Sequence, residues 1–125
     1  MVTALLDTSI VVDLMRKYPP ADDWLKEQTG LGITRMVWLE IVEGALNRVE
    51  QQRAIRLLRD FELVEITNED AEWATIQLIA FRLSHDIDAI DCLIAATSHR
   101  LNIPLMTHNL KHFTPLLGSL AQKPY

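Results

Sequence analysis

The chain has 125 residues, 49% of them apolar and 23% charged, which suits one domain with its own core and no need of disulfides or a structural metal. Its single cysteine, Cys92, excludes an internal disulfide and fits a reducing cytoplasm, and no apolar run approaches the length of a membrane span. The net charge of −5 does not mark a nucleic-acid binder, but it is uneven: residues 1–91 hold all 17 acids and 9 of the 12 bases, whereas residues 92–125 hold Arg100, Lys111 and Lys123 and no acid. Asp7 interrupts the opening apolar run and no basic leader precedes it, so no cleaved signal is expected. Four glycines, five prolines and no low-complexity tract argue for a single ordered domain over residues 1–125.

Taken in chain order, residues 3–6 form a short apolar run, the pattern of a strand buried on both faces. Ser9 is the expected N-cap of a helix through Ile10, Val11, Leu14 and Met15, which Pro19-Pro20 ends while opening a helix around residues 22–28. A second strand is expected over residues 30–34. Trp38, Ile41, Ala45 and Val49 recur at helical spacing over residues 36–49, and a further helix over residues 51–61 turns Ile55 and Leu58 inward. Residues 63–66 read as a third strand. Asn68 or Thr67 caps a helix carrying Trp73, Ile76, Ala80 and Leu83, and a helix over residues 88–101 has Ile90, Ile94, Thr97 and Leu101 on one face. Residues 103–107 form the fourth strand candidate, with Pro104 near its start where no ladder donor is needed. The tail beyond Phe113 suggests only a short edge strand near Leu120. Alternating strands and helices predict an α/β fold, a three-layer α/β/α sandwich with a mostly parallel sheet of four or five strands, whose functional site lies outside the carboxyl ends of the strands.

Three carboxylates can reach that crevice. Asp7 directly follows the first strand, Glu40 lies about a turn and a half into the helix after the second, and Asp91 lies in the first turn of the helix over residues 88–101. Thr107-His108-Asn109 leaves the end of the fourth strand. Gathering acids from such distant positions is unfavourable without a cation, and an oxygen-rich, thiolate-free set suits Mg²⁺ or Mn²⁺. Each residue also has a plainer reading: Asp7 as a strand terminator, Glu40 as a solvated helix residue, Asp88 and Asp91 as an acidic capping box, Asn109 as a turn residue. Spacing alone therefore reaches a divalent-metal site and no further. His108 and His112 stand four apart but lack the glutamate of a zinc-binding His-Glu-x-x-His helix, and Cys92 reads as a small packed residue. Arg48, Arg53, Arg56 and Arg59 read first as a solvated face paired with Glu50, Asp60 and Glu62, and second as a cradle for an RNA backbone. Lys111 is the better single candidate for a phosphate contact. Trp24, Trp38 and Trp73 read as core or interface anchors. A phosphatase using a strand-end aspartate would need a second acid where Ser9 stands, and glycine-rich phosphate loops are absent.

Four segments then carry a family resemblance: Leu5-Leu6-Asp7-Thr8-Ser9, Leu39-Glu40-Ile41-Val42-Glu43-Gly44, Asp91-Cys92-Leu93-Ile94-Ala95-Ala96-Thr97 and Thr107-His108-Asn109-Leu110-Lys111-His112-Phe113. In order and spacing they resemble PIN-domain proteins, specifically the VapC-like toxins of toxin–antitoxin pairs, over essentially the whole chain. The resemblance implies a PIN-like fold and a Mg²⁺- or Mn²⁺-dependent endoribonuclease that hydrolyses RNA phosphodiester bonds. It places Asp7, Glu40 and Asp91 in the metal-binding, catalytic positions, with Thr8 or Ser9 holding a carboxylate or the substrate phosphate and Thr107 at the substrate. Members often carry a further acid where this chain has Asn109 or His112, so Asn109 would hold a water on the ion or ligate through its carbonyl, with one metal firmly bound. The resemblance also implies a homodimer silenced by a cognate antitoxin that occupies the active-site groove. The missing fourth acid motivates the alternative, a catalytically weak or inactive PIN-like module that binds RNA or protein.

Overall fold

The computed structural model describes all 125 residues. Five short strands, β1 (Ala4–Leu6), β2 (Leu31–Thr34), β3 (Glu62–Val64), β4 (Leu105–Met106) and β5 (Ala121–Gln122), form one sheet in the order β3-β2-β1-β4-β5, every pairing parallel. β1 lies in the middle and all three of its residues are buried, which accounts for its unbroken apolar run. Seven helices connect the strands: α1 (Thr8–Met15) and α2 (Pro19–Lys26), then α3 (Arg35–Glu43) and α4 (Arg48–Leu58), then α5 (Asn68–His85) and α6 (Ala89–Leu101), and finally α7 (Leu110–Leu117). They pack in two groups, α1 to α4 together and α5 to α7 together. Chain order gives the reason. From β1 the strands advance one way to β2 and β3, then the path returns past β1 to β4 and β5, and right-handed crossovers put the two sets of helices on opposite faces.

The reversal creates the crevice that matters. β1 and β4 are neighbours, with Leu5 opposite Leu105 and Leu6 opposite Met106, yet their following helices depart to different sides of the sheet. The gap beyond their carboxyl ends is the ligand-binding position of an open parallel sheet. A continuous core holds this frame, with Leu5, Leu6, Ile33 and Leu105 from the sheet, Ile10, Val37 and Leu58 from one helical layer, and Ile94, Ala95 and Phe113 from the other.

Several expectations change. The N-cap of α1 is Asp7, not Ser9, which lies in the helix's first turn. The pattern expected over residues 36–49 divides: α3 ends at Glu43 with Gly44 as C-cap, and α4 begins anew behind Asn47, whose side chain accepts from the Glu50 N–H. Val49 therefore belongs to α4 and is exposed. Thr67 caps α5 in a full capping box with Asp70, and Asp88 caps α6. Leu101 is exposed rather than inward with Ile94 and Thr97. Pro104 precedes β4, where its carbonyl accepts from the Leu5 N–H. The tail holds a helix, α7, before the edge strand β5.

Candidate active site

Asp7 leaves the carboxyl end of β1 and is 5% exposed. Its backbone N–H continues the ladder by donating to the Met106 carbonyl, which fixes where the side chain emerges. One carboxylate oxygen, Oδ2, accepts from Ser9 Oγ at 2.9 Å and from Thr107 Oγ1 at 2.8 Å. No side-chain donor occupies the other oxygen, Oδ1. Thr107 is itself locked by the Asn109 N–H, which donates to its hydroxyl at 2.9 Å, and Ser9 accepts from the His108 N–H at 3.2 Å. The turn after β4 thus clamps Asp7 from one side and the first turn of α1 from the other.

Glu40 projects from α3, and Thr8 Oγ1 donates to its Oε1 at 2.7 Å. Burial first, then the negative charges of Asp7, Asp88 and Glu43, raise its pKa above the usual carboxylate range despite the Thr8 bond. Asp91 is more strongly affected. Its side chain is 15% exposed, and burial together with the charges of Asp88 and Asp7 outweighs the His112 hydrogen bond and pushes its pKa up to about 6. Asp88 accepts from the Asp91 N–H at 2.9 Å as the α6 cap, so its carboxylate is tied to the helix end while its charge still bears on Glu40 and Asp91.

His112 Nδ1 lies 3.0 Å from Asp91 Oδ2 and 3.0 Å from the Asn109 amide. That nitrogen carries at most one proton. Protonated, it donates to Asp91 and takes the Asn109 carbonyl oxygen as a second acceptor; unprotonated, it accepts from the Asn109 amide and requires the proton to sit on Asp91. Asn109, His112 and Asp91 are therefore one hydrogen-bonded unit, and the role of His112 was not foreseen. Its only sequence signal was its position where related chains often place an acid.

The structure places Asp7, Thr8, Ser9, Glu40, Asp91, Thr107 and Asn109, drawn from four separate stretches of chain, in one hydrogen-bonded and electrostatically linked region beyond the sheet. Lys111, in the first turn of α7, makes no ion pair or hydrogen bond and leaves its ammonium free. The two histidines do not share a ligand: His108 Nε2 turns to Asp13 at 2.9 Å while His112 faces Asp91. Cys92 is buried and its pKa is pushed up to about 11 by burial and the neighbouring carboxylates, which keeps it a protonated, packed thiol. The α4 arginines differ from expectation. None pairs with Glu50, Asp60 or Glu62; Arg53 donates to the Met15 carbonyl and Arg56 to that of Gln52. Glu50 is already engaged by the Leu46 N–H, so the intended partner is spent on the helix cap.

No three His, Cys, Asp or Glu side chains stand close enough together to form a ready-made metal cage. What the crevice provides is a set of acids, each with one oxygen free of side-chain donors, and no Lys or Arg paired with them, which is the donor chemistry that suits a hard divalent cation.

A sequence profile of the PIN domain matches residues 4–113, and thus takes in β1 through Phe113 with all the residues above. The chain belongs to the PIN-domain family. Among curated PIN-domain relatives, ribonuclease VapC19 of Mycobacterium tuberculosis is 32% identical over 127 residues, covering 97% of this chain and 98% of that protein. Ribonuclease VapC10 of the same species is 30% identical over 113 residues, covering 87% of this chain and 84% of that one. A toxin–antitoxin complex from Klebsiella pneumoniae contains a chain that superposes with a TM-score of 0.79 at 28% identity, 98% of each chain being covered. The parallel sheet and its order are thus those of a PIN domain, and no helix is long and apolar enough to cross a membrane.

Proposed function

We propose that this PIN-domain chain is a Mg²⁺- or Mn²⁺-dependent endoribonuclease, the toxin of a toxin–antitoxin pair acting in the cytoplasm. The observation that supports the reading is that the charge of Asp7 bears on both Glu40 and Asp91 beside the point where strand order reverses, each acid being engaged through one oxygen: Asp7 by Ser9 and Thr107, Glu40 by Thr8, and Asp91 in its hydrogen bond with His112. Asp7, Glu40 and Asp91 would hold the cation, with the Asn109 carbonyl beside them. A divalent ion held by these oxygens would supply charge neutralisation for the acids and Lewis-acid activation for phosphodiester hydrolysis.

The chain's own groups prepare that chemistry. Thr8, Ser9 and Thr107 fix the orientation of two carboxylates and leave one oxygen of each available. The Asn109–His112 unit orients Asp91 in the same way and would leave its other oxygen for an ion. Lys111, without a partner in the first turn of α7, would offer its ammonium to the substrate phosphate.

The partners follow from the surfaces. A cavity of about 410 Å³ beside Thr8 and Glu40, lined also by Val12, Met15, Ile41 and Arg53, is an apolar groove ending at acids. It suits an antitoxin segment offering apolar side chains along its length and a basic residue at the acidic end. Ile76, Ile79 and Leu83 leave an exposed apolar stripe on α5 available for the homodimer.

Purified protein is expected to cleave RNA with Mg²⁺ or Mn²⁺ and to stop when the metal is chelated, and Asp7→Asn is expected to lower the rate by at least about 100-fold. Full activity in Asp7→Asn would overturn the assignment. RNA binding without metal-dependent cleavage in the parent protein would favour the non-cutting module instead.

A further inference from the structure

A second concave site lies on the other flank of α1. It is a cavity of about 370 Å³ lined by Asp13, Arg16, Tyr18, His108, Lys123 and Tyr125, large enough to take one nucleotide. Its floor is built. Asp13, buried at 7% exposure, accepts from Tyr125 Oη at 2.7 Å and Arg16 Nε at 3.0 Å, and lies 2.9 Å from His108 Nε2. These contacts cover both carboxylate oxygens, and the charge exposed toward solvent is that of Arg16 and Lys123. Lys123 is exposed and has no ion-pair partner. The walls are aromatic. Tyr18 and Tyr125 stand 6.1 Å apart between ring centroids at 47°, His108 meets Tyr125 edge-on at 4.9 Å, and the Arg16 guanidinium lies over the Tyr18 ring at 4.8 Å. Lys17 makes this arrangement by taking a left-handed backbone conformation at φ 57°, which turns the chain sharply between Arg16 and Tyr18.

The cavity is coupled to the carboxylate site at two points. His108 lines it with its ring while its backbone N–H donates to Ser9 Oγ, the hydroxyl that holds Asp7. Arg16 lines both this cavity and the apolar groove that contains Glu40. Aromatic rings beside Lys123, which has no ion-pair partner, and Arg16, which is paired with Asp13 yet largely exposed, lie one hydrogen-bond step from the proposed cleavage centre and are the recognition chemistry of an unpaired nucleotide: stacking for the base, Lys and Arg for its phosphate.

We propose that this cavity is a subsite for a single-stranded RNA nucleotide flanking the scissile phosphate, with the base against Tyr18 and Tyr125 and the phosphate between Arg16 and Lys123. The proposal rests on the nuclease reading above, and its test separates the two. Binding of a 5′-labelled, mixed-sequence single-stranded RNA 12-mer is measured by fluorescence anisotropy in the Asp7→Asn background, where the RNA stays intact. Tyr18→Ala and Lys123→Glu are each expected to weaken binding about 5-fold or more, at the low end of a lost base stack or phosphate contact, and Tyr18→Phe to restore it. In cleavage by the otherwise unaltered enzyme, the same substitutions raise KM far more than they lower kcat, with thermal unfolding within a few degrees of the parent. Affinities within twofold of the parent for both Tyr18→Ala and Lys123→Glu would overturn the subsite while leaving the Asp7-dependent cleavage standing. A parent protein that neither binds nor cleaves the RNA would overturn both, and a Tyr18→Phe variant as weak as Tyr18→Ala would assign the effect to the hydroxyl and sink the stacking argument.

Discussion

Asp91 is a side chain of the candidate site that is costly to the fold. Its carboxyl group is largely buried beside Asp88 and Asp7, and its pKa rises to about 6. A carboxylate raised in the folded state favours folding in its protonated form. The resulting penalty is absent below its ordinary pKa of 3.8, grows as pH rises, and is complete above about 6. Asp91→Asn removes the charge but keeps an acceptor for His112. In metal-free protein at pH 7.5 it should therefore be more stable than the parent, by about 1–2 kcal/mol in chemical denaturation, while losing cleavage. An unchanged or lower stability would show that the facing acids do not strain the fold. Protons and a divalent ion compete for the same oxygens, so Mn²⁺ affinity measured calorimetrically should fall as pH drops through about 6. Most of these residues could be picked out from position: an acid abutting a buried strand, a Thr-x-Asn turn after another. His112 could not, because a histidine's partner across the crevice is a tertiary fact with no local pattern.

At the level of elements, the site depends on helices whose starts are pinned by side chains. Asp70 joins two of them. It closes the α5 capping box with Thr67, sits 2% exposed, and receives Arg100 Nε from α6 at 2.9 Å. Burial pushes its pKa up, but the Arg100 and Thr67 hydrogen bonds and the Arg100 charge outweigh this and hold it below the usual range. Its contribution is thus present above the ordinary pKa of 3.8 and is lost as pH falls through the lower folded value. Asp70→Ala is expected to cost about 2–4 kcal/mol at pH 7, measured by urea unfolding, and the difference from the parent should shrink in strong acid. A loss under about 0.5 kcal/mol, the size of an ordinary surface change, would contradict this coupling. Strand and helix types along the chain were readable from apolar runs and 3.6-residue spacing, and Thr67 and Asp88 were readable as caps. The break at residues 44–47 was not, because Ala45 and Val49 continue the helical rhythm of α3 by coincidence; the Asn47 cap, which starts α4 anew, decides against it. α7 was missed for the opposite reason, since Pro115 lies inside it and reads as a breaker.

For the whole molecule, the charge distribution follows the architecture. The acids of residues 1–91 and the acid-free last third meet at the crevice between β1 and β4, so the centre is negative, while Arg16 and Arg53 line the groove that contains Glu40 and Lys111 and Lys123 have no ion-pair partner. A net charge of −5 is in this way compatible with a polyanionic substrate, because a divalent ion bound there would neutralise most of the charge of Asp7, Glu40 and Asp91. The sheet order could not be read from the sequence, since nothing local tells β3 to return past β1. Yet the placement of Asp7 and the Thr107–Asn109 turn side by side depends entirely on that return. The central claim is that Asp7, Glu40 and Asp91 share one cation in this crevice. A crystal structure of the protein soaked in Mn²⁺, read by anomalous scattering, tests it most directly. The expected result is a peak bound by oxygens of Asp7 and Asp91 at about 2.1–2.2 Å, with Glu40 bound directly or through water. A Mn²⁺ peak elsewhere, or none touching Asp7 and Asp91 at saturating metal, would contradict it.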